Sequence, residues 1–293
     1  MPQIIKFISY NIIIYFFGFS YYLIYTNQKY PLIKSYLYSN FYHILFVYVL
    51  NYVYTYFTNI YENAKQISPN IIKNLINISK NTILEIVSIL ICNKYTNNNI
   101  FYDLITFIPK SFIFEIIFDF FHYWTHRISH YKYLYYYHKT HHEHTNNITV
   151  FSTYNHNFYD LIITNVLPMY LTSLIVPLYE LQFFIFLIIK TFLEISGHSG
   201  KYFKNTSFIQ CAWIPKLFGI ELYARDHYIH HEQFNYNYSK RFILWDKIFG
   251  TYKIDDEIII KENILFNKKS IVIKNNYVKY SLFICFLGIC YLL

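Results

Sequence analysis

Apolar and polar positions fall along this chain in long blocks, not in the alternation that marks half-buried strands. Ile4 to Tyr25, Phe41 to Phe57, Ile100 to Phe121 (interrupted by Pro109 and Lys110), and Leu161 to Pro177 followed by Leu178 to Ile195 qualify or come close as bilayer spans, which need roughly 20 apolar residues. A shorter apolar stretch, Tyr280 to Leu293, closes the chain. The pattern predicts an all-α integral membrane protein with about four transmembrane helices in hairpins and a helical cap outside the bilayer. Residues 61 to 99 read as a polar, Asn-rich connector with one short apolar piece, Ile83 to Cys92. The first apolar run is too long for a secretory signal, and no small-residue cleavage pattern follows at Gln28 to Pro31, so it reads as a retained anchor. Three segments result: an N-terminal hairpin and connector over 1–99, a middle region over 100–253, and a tail over 254–293.

Composition sharpens this picture. Hydrophobic residues make up 55% of the 293 positions and charged residues only 14%, which argues against a water-soluble fold. The formal charge of +8 comes from dispersed lysines with no basic stripe, so it suits cytoplasmic membrane edges and not nucleic acid. Abundant Ile, Asn, Lys, Tyr and Phe beside six glycines is the mark of A+T-rich coding, so aromatic richness carries little functional weight. Cys92, Cys211, Cys285 and Cys290 form no C-x-x-C pair, which leaves neither a disulfide framework nor a thiolate metal site.

The chemistry lies in the histidines. Twelve of thirteen fall between His122 and His231, in the groups His122-x3-His126-x3-His130, His138-x2-His141-His142, a lone His198, and His227-x2-His230-His231. On a helix such spacings put two or three imidazoles on one face, each able to bind a metal through one ring nitrogen while the other is oriented by a neighbour. Two copies of H-x-x-H-H are hard to obtain by scatter. About nine nitrogens exceed what one zinc or iron accepts, so two metals are implied. Neither histidine group supplies the H-E-x-x-H of a zinc protease. A site built on histidine alone leaves its metals short of anionic charge, which makes Asp119, Asp160, Asp226, Glu143 and Glu232 candidates for orienting the rings.

Taken in order, Asp119-Phe-Phe-His122-Tyr-Trp-Thr-His126-Arg127-Ile-Ser-His130, Tyr137-His138-Lys-Thr-His141-His142-Glu143, Tyr154-Asn-His156, His198-Ser-Gly200, Asp226-His227-Tyr-Ile-His230-His231, Asn237-Tyr-Ser and Trp245-Asp246-Lys-Ile-Phe-Gly250-Thr251 resemble the fatty acid hydroxylase/sterol desaturase superfamily. The resemblance covers roughly residues 100 to 253 and is closest to the C-4 methylsterol oxidase branch; sphingoid-base hydroxylases and sterol C-5 desaturases share most of the same motifs. It implies that His126, His130, His138, His141, His142, His198, His227, His230 and His231 ligate two iron ions. His122, His156, Asp119, Asp226 and Glu194 stand as candidate additional ligands or outer partners; Glu194 takes a position where several members carry histidine. Asn157 replaces the proline that often follows the His156 position.

The same resemblance implies an oxygenase that hydroxylates an unactivated C–H bond of a lipid, a sterol before a sphingoid or fatty acyl chain, with O2 as co-substrate. Desaturation is the neighbouring outcome. Electrons would come ultimately from NAD(P)H through a separate b-type cytochrome and reductase, since the chain shows no His-Pro-Gly-Gly heme loop. The implied location is the endoplasmic reticulum with the site facing the cytosol. Two readings from other classes are a membrane metal transporter, whose ligands should lie within the spans, and a non-catalytic lipid-binding relative.

Overall fold

A computed structural model describes residues 3–27, 29–58, 70–143, 148–200 and 207–254. The apolar segment at 280–293, most of the tail and His144 lie outside these. The described chain is helical, with two isolated β-bridges and no strand among the described residues. Four long helices come first: α1 (Gln3–Thr26), α2 (Pro31–Thr58), α3 (Ile71–Cys92) and α4 (Ile100–Ser129). A short turn, α5 (Tyr135–His138), precedes α6 (Phe158–Leu161), which runs through a π-helical turn (Ile162–Val166) into α7 (Leu167–Ile175). Then follow α8 (Glu180–Gly197), α9 (Trp213–Phe218), α10 (Ala224–Glu232) and α11 (Leu244–Ile248).

Helix α8 is the axis of the bundle. Leu181 through Ile189 is buried without a break, the signature of a helix enclosed on every side. Around it α1 turns Ile4, Ile8, Ile12 and Phe16 outward at a spacing of four, leaving an apolar stripe that water would not tolerate. Three stretches among the described residues are long and apolar enough to cross a membrane: Phe7–Thr26, Ile71–Cys92 and Phe158–Ile175. Helices α2 and α4 are longer but more polar; α2 carries Ser35, Ser39, Asn40 and His43, and α4 carries Asp103, Lys110, Glu115 and Asp119.

Helix α3 corrects the expectation of a connector over 61–99. Its polar residues lie on the protein side: Asn74, Asn77, Thr82, Glu85 and Ser88 are buried, while Ile72, Ile76, Ile83, Val87 and Leu90 point outward. The helix is inside out relative to a soluble one, so its asparagines disguise it as a loop. Asn70 caps its start, accepting from the Ile72 and Lys73 N–H groups. Glu85 is the buried hub of this face. It accepts from Tyr21 and Ser39 (3.4 and 2.5 Å) and from Tyr42, and lies 3.1 Å from His43 Nε2, so one carboxylate ties α1, α2 and α3. His43 in turn meets Thr191 of α8 and Tyr154, each at 3.1 Å.

Gly18 sets how closely α1 approaches α8. A Cβ built there would lie 2.7 Å from the Ile185 Cα and 2.6 Å from its Cγ1, so the backbones touch and no side chain can be admitted. Gly18→Leu is expected to separate the helices at an overpacking cost of about 1–3 kcal/mol. The thermal midpoint in detergent checks this, and an unchanged midpoint would contradict the packing.

Candidate metal centre

The histidines gather at one end of the bundle because three helix ends meet there. His122 and His126 occupy the last turns of α4 and His130 caps it; His156 lies just before α6; His198 caps the C-terminus of α8. His138 ends α5, His141 and His142 sit in a 3-10 turn, and His227, His230 and His231 share α10. Two compact groups result. His126, His130, His138, His142 and His230 form one; His141, His198, His227 and His231 form the other, with the ligand atoms of each group within 4.8 Å of one another.

The hydrogen bonds fix which nitrogen of several rings is bare. His126 Nδ1 donates to the Tyr238 carbonyl at 2.7 Å, His198 Nδ1 to that of Glu194 at 2.9 Å, and His230 Nδ1 to that of Tyr236 at 2.6 Å. His138 Nδ1 donates to Asp160 Oδ1 at 2.8 Å. A carbonyl only accepts, so the proton sits on Nδ1 and the Nε2 lone pair points inward. Yet His126 Nε2 and His138 Nε2 lie 3.1 Å apart, and His142 Nε2 lies 3.0 Å from the same His138 atom. In the second group His227 Nε2 lies 3.2 Å from His198 Nε2 and 3.1 Å from His231 Nε2. Between His126 and His138, both of which hold their proton on Nδ1, the facing lone pairs repel unless a cation lies between them. Two nitrogens held at right angles about 2.1 Å from one metal would be about 3.0 Å apart, against about 3.4 Å for a tetrahedral pair. Buried Nε2 atoms without hydrogen-bond partners on His130 and His230 add to the case that these residues fit metal ions.

Burial and mutual repulsion favour, in most of these rings, the neutral form that a ligand must have. Burial, then the neighbouring rings, hold His126, His141, His142, His227 and His231 well below the usual imidazole range. Burial likewise pushes His198 down to about 4 and His230 to about 3.

The outer partners differ from several that the sequence singles out. Asp119 accepts from the backbone N–H groups of Lys240, Arg241 and Phe242 at 2.7–2.9 Å, so it anchors the 240–242 loop and touches no imidazole. Asp226 accepts from the Tyr223 N–H and caps α10. Glu143 and Glu232 are exposed. Glu194 pairs with Lys190 at 3.0 Å and Lys240 at 2.8 Å and belongs to neither histidine group. Asp160 is the carboxylate that orients rings, reaching His138 with one oxygen and His156 with the other, both at 2.8 Å. Of the five carboxylates expected to orient rings, Asp160 is the one that does so for His138 and His156. His156 stacks on His141 with ring centroids 4.1 Å apart, and His122 Nδ1 is held by the Thr164 carbonyl in the π turn at 2.6 Å; neither joins a group.

A cavity opens onto members of both groups. His126, His138, His141, His198 and His227 share its wall with Leu161, Leu193 and Leu222, and with Lys240 and Arg241, which sequence reasoning missed. Burial pushes the Lys240 ammonium down to about 8, opposed by Glu194. The 237–251 loop that presents these cations is pinned by Asp246, which accepts from the Tyr238 and Ser239 N–H groups and the Thr251 hydroxyl. Its turns use Asn237 and Gly250 at positive φ.

Two expectations follow. The imidazoles' folded values lie below the free value of 6.5, so the unfolded chain takes up protons first; metal-free protein should lose stability as pH falls from about 6.5 through about 4 and 3. Thermal midpoints across that range check the sign, and a flat profile would contradict it. Asp160→Asn should weaken metal retention about 10–100-fold at the five-histidine group. Metal content after dialysis against a graded chelator reads this, with one ion lost before the other.

Comparison with known proteins agrees with this geometry. Residues 111–251 match the Fatty acid hydroxylase family model. Fatty acid hydroxylase vlmA of a Lecanicillium species is 32% identical over 148 residues, which is 47% of this chain and 40% of the relative. Delta(7)-sterol 5(6)-desaturase erg31 of Schizosaccharomyces pombe is 30% identical over 157 residues, 53% of this chain and 48% of the relative, and ERG3A of Gibberella zeae, of the same description, is 29% identical over 147 residues, 50% and 38% respectively. The matched region thus spans less than half the length of each of these relatives. No solved structure matches the chain. Residues 111–251, which hold every histidine of both groups, form a fatty acid hydroxylase family domain of the fatty acid hydroxylase/sterol desaturase superfamily.

Proposed function

We propose that this protein is a membrane oxidoreductase that uses two iron ions to oxidise an unactivated C–H bond of a lipid, a sterol first among the candidates. The observation that carries the reading is the division of nine histidines, seven of them buried, into groups of five and four, with members of both groups on the wall of one cavity. His126, His130, His138, His142 and His230 would hold one ion; His141, His198, His227 and His231 would hold the other. When bound, the pair would supply the O2 chemistry that amino-acid side chains lack. Overall, R–H, O2, two electrons and two protons would give R–OH and water.

The chain's own residues do the remaining work. Carbonyls of Tyr238, Tyr236 and Glu194 keep protons on Nδ1 atoms, so the Nε2 lone pairs stay available. Asp160 holds His138 in orientation. Leu161, Leu193 and Leu222 give the lipid an apolar wall that limits water near the reacting carbon. The electrons would come from NAD(P)H through a separate b-type cytochrome and reductase, and the family suggests the endoplasmic reticulum with the site toward the cytosol.

The C-4 methylsterol reading rests on the His198-Ser-Gly200, Asn237-Tyr-Ser and Trp245-Asp246 motifs. The relatives described above are named for fatty acid hydroxylation and sterol 5(6)-desaturation, so the proposal is set at a lipid C–H bond, with hydroxylation ahead of desaturation. A transport role gains no support, because the histidines close into compact groups and are not spaced along a path.

Reconstitution with iron, a reductase system, O2 and sterol or acyl lipids tests the reading by mass spectrometry of the products. His142→Ala and His231→Ala should each reduce bound iron from two ions toward one and cut product by at least about 100-fold. Iron-loaded wild-type protein that oxidises no lipid with an active donor system would overturn the function.

A further inference from the structure

Arg241 is 1% exposed, the largest fully buried side chain among the described residues, and it lines the same cavity as the metal-facing histidines. Two of its guanidinium nitrogens, Nε and Nη2, have no hydrogen-bond partner. These two form one edge of the guanidinium, the edge that grips an oxygen-bearing group side-on. The nearest carboxylates stop short: Glu115 Oε2 lies 3.9 Å from Nε and Glu194 Oε1 lies 4.0 Å from Nη2. Glu115 Oε2 also has no partner, although Gln210 donates to its companion oxygen at 3.0 Å. Buried donors and acceptors thus face each other across gaps slightly too wide to close. Such groups call for an occupant.

The chemistry of the gap selects the occupant. It must accept from the guanidinium and donate to a carboxylate, and a hydroxyl does both. Ordinary bonds of about 2.9 Å from nitrogen and about 2.7 Å to oxygen let one hydroxyl oxygen span a 4.0 Å separation with a bend near a right angle. A substrate carboxylate would be set against Glu194 and Glu115, an amine against Arg241, and a ketone or ether would accept from Arg241 but give Glu194 no further donor. Glu194 keeps acceptor capacity beside its ion pair with Lys240, since each carboxylate oxygen has two lone pairs.

We propose that Arg241 and Glu194 form a hydroxyl-binding site that anchors a lipid alcohol, so that the oxidised carbon lies within a few bonds of the carbon bearing the hydroxyl. The inference rests on the oxidoreductase reading and adds a specificity-determining pair to it. Because the anchor and both histidine groups face one cavity, the hydroxyl sets which carbons come before the metals. The apolar remainder of the lipid then serves as ballast against Leu161, Leu193 and Leu222.

The test uses full-chain, iron-loaded protein in nanodiscs with a donor system and three probes: a 3-hydroxysterol, its 3-deoxy analogue and a straight-chain fatty acid. A site built around a hydroxyl should favour the alcohol over the deoxy compound by at least about 100-fold in kcat/KM. Arg241→Lys keeps the charge but loses the side-on edge, and should collapse that preference mainly through KM for the alcohol. Glu194→Gln keeps an acceptor oxygen but adds a donor, and should reduce the preference less; the two variants together guard against simple misfolding. Equal turnover of alcohol and deoxy sterol, as expected if only water fills the gap, would overturn the anchor and leave the oxidoreductase reading standing. Preference for the fatty acid would also overturn the anchor. Oxidation of none of the three would count against the reading beneath it.

Discussion

Imidazole lone pairs held face to face inside a buried cap are the constraint on which this structure turns. Nine rings stand in two groups, and facing ring nitrogens lie 3.0–3.2 Å apart, among them the Nε2 atoms of His126 and His138, whose protons are held on Nδ1. Such an arrangement is repulsive on its own, and protonation, which would give the pairs hydrogen bonds, is opposed by burial and by the neighbouring rings. The bundle below supplies the rigidity that holds the rings against that repulsion. The cost is offset when a cation enters, because binding is then coupled to the stability of the fold.

The rigidity has identifiable sources. Helix α8 is enclosed along its length and delivers His198 at its C-terminus, while α4 carries His122 and His126 in its last turns. The π turn at Ile162–Val166 offers the Thr164 carbonyl to His122 and places Asn165 against Lys240. Such turns recur at functional positions because they re-aim a backbone group without ending the helix. Asp119 and Asp246 do no chemistry on a metal; each collects backbone N–H groups of the 238–242 loop and fixes where Lys240 and Arg241 stand. Carboxylates near a metal-binding sequence motif are therefore not all outer partners of the ligands.

Polarity is distributed in the reverse of a soluble protein. Isoleucines on α1 and α3 face outward, and Glu85, His43, Ser39 and Thr82 face inward. Hydrocarbon gives apolar side chains no reason to turn inward, so packing and polar contacts decide which face of a helix meets its neighbours. Gly18 against Ile185 and the donors converging on Glu85 are the two local forms of that rule here.

Sequence alone determined that the protein is helical and apolar, and that its histidines are grouped for metal. Spacing on a helix is a local property, so H-x-x-x-H and H-x-x-H-H are legible without any knowledge of how the helices pack. The division of the histidines into five and four was not legible, because His141 and His142 are adjacent in the chain yet join different groups. Nor was α3, whose polar residues satisfy one another across the bundle and so imitate a loop in one dimension. The reach of Asp160 to His138, the diversion of Asp119 to the 240–242 backbone and the open edge of Arg241 all depend on contacts between residues distant along the chain. Tertiary structure decided these, since hydrogen bonds and lone-pair directions are set by where helices end and meet, and one-dimensional spacing does not carry that information.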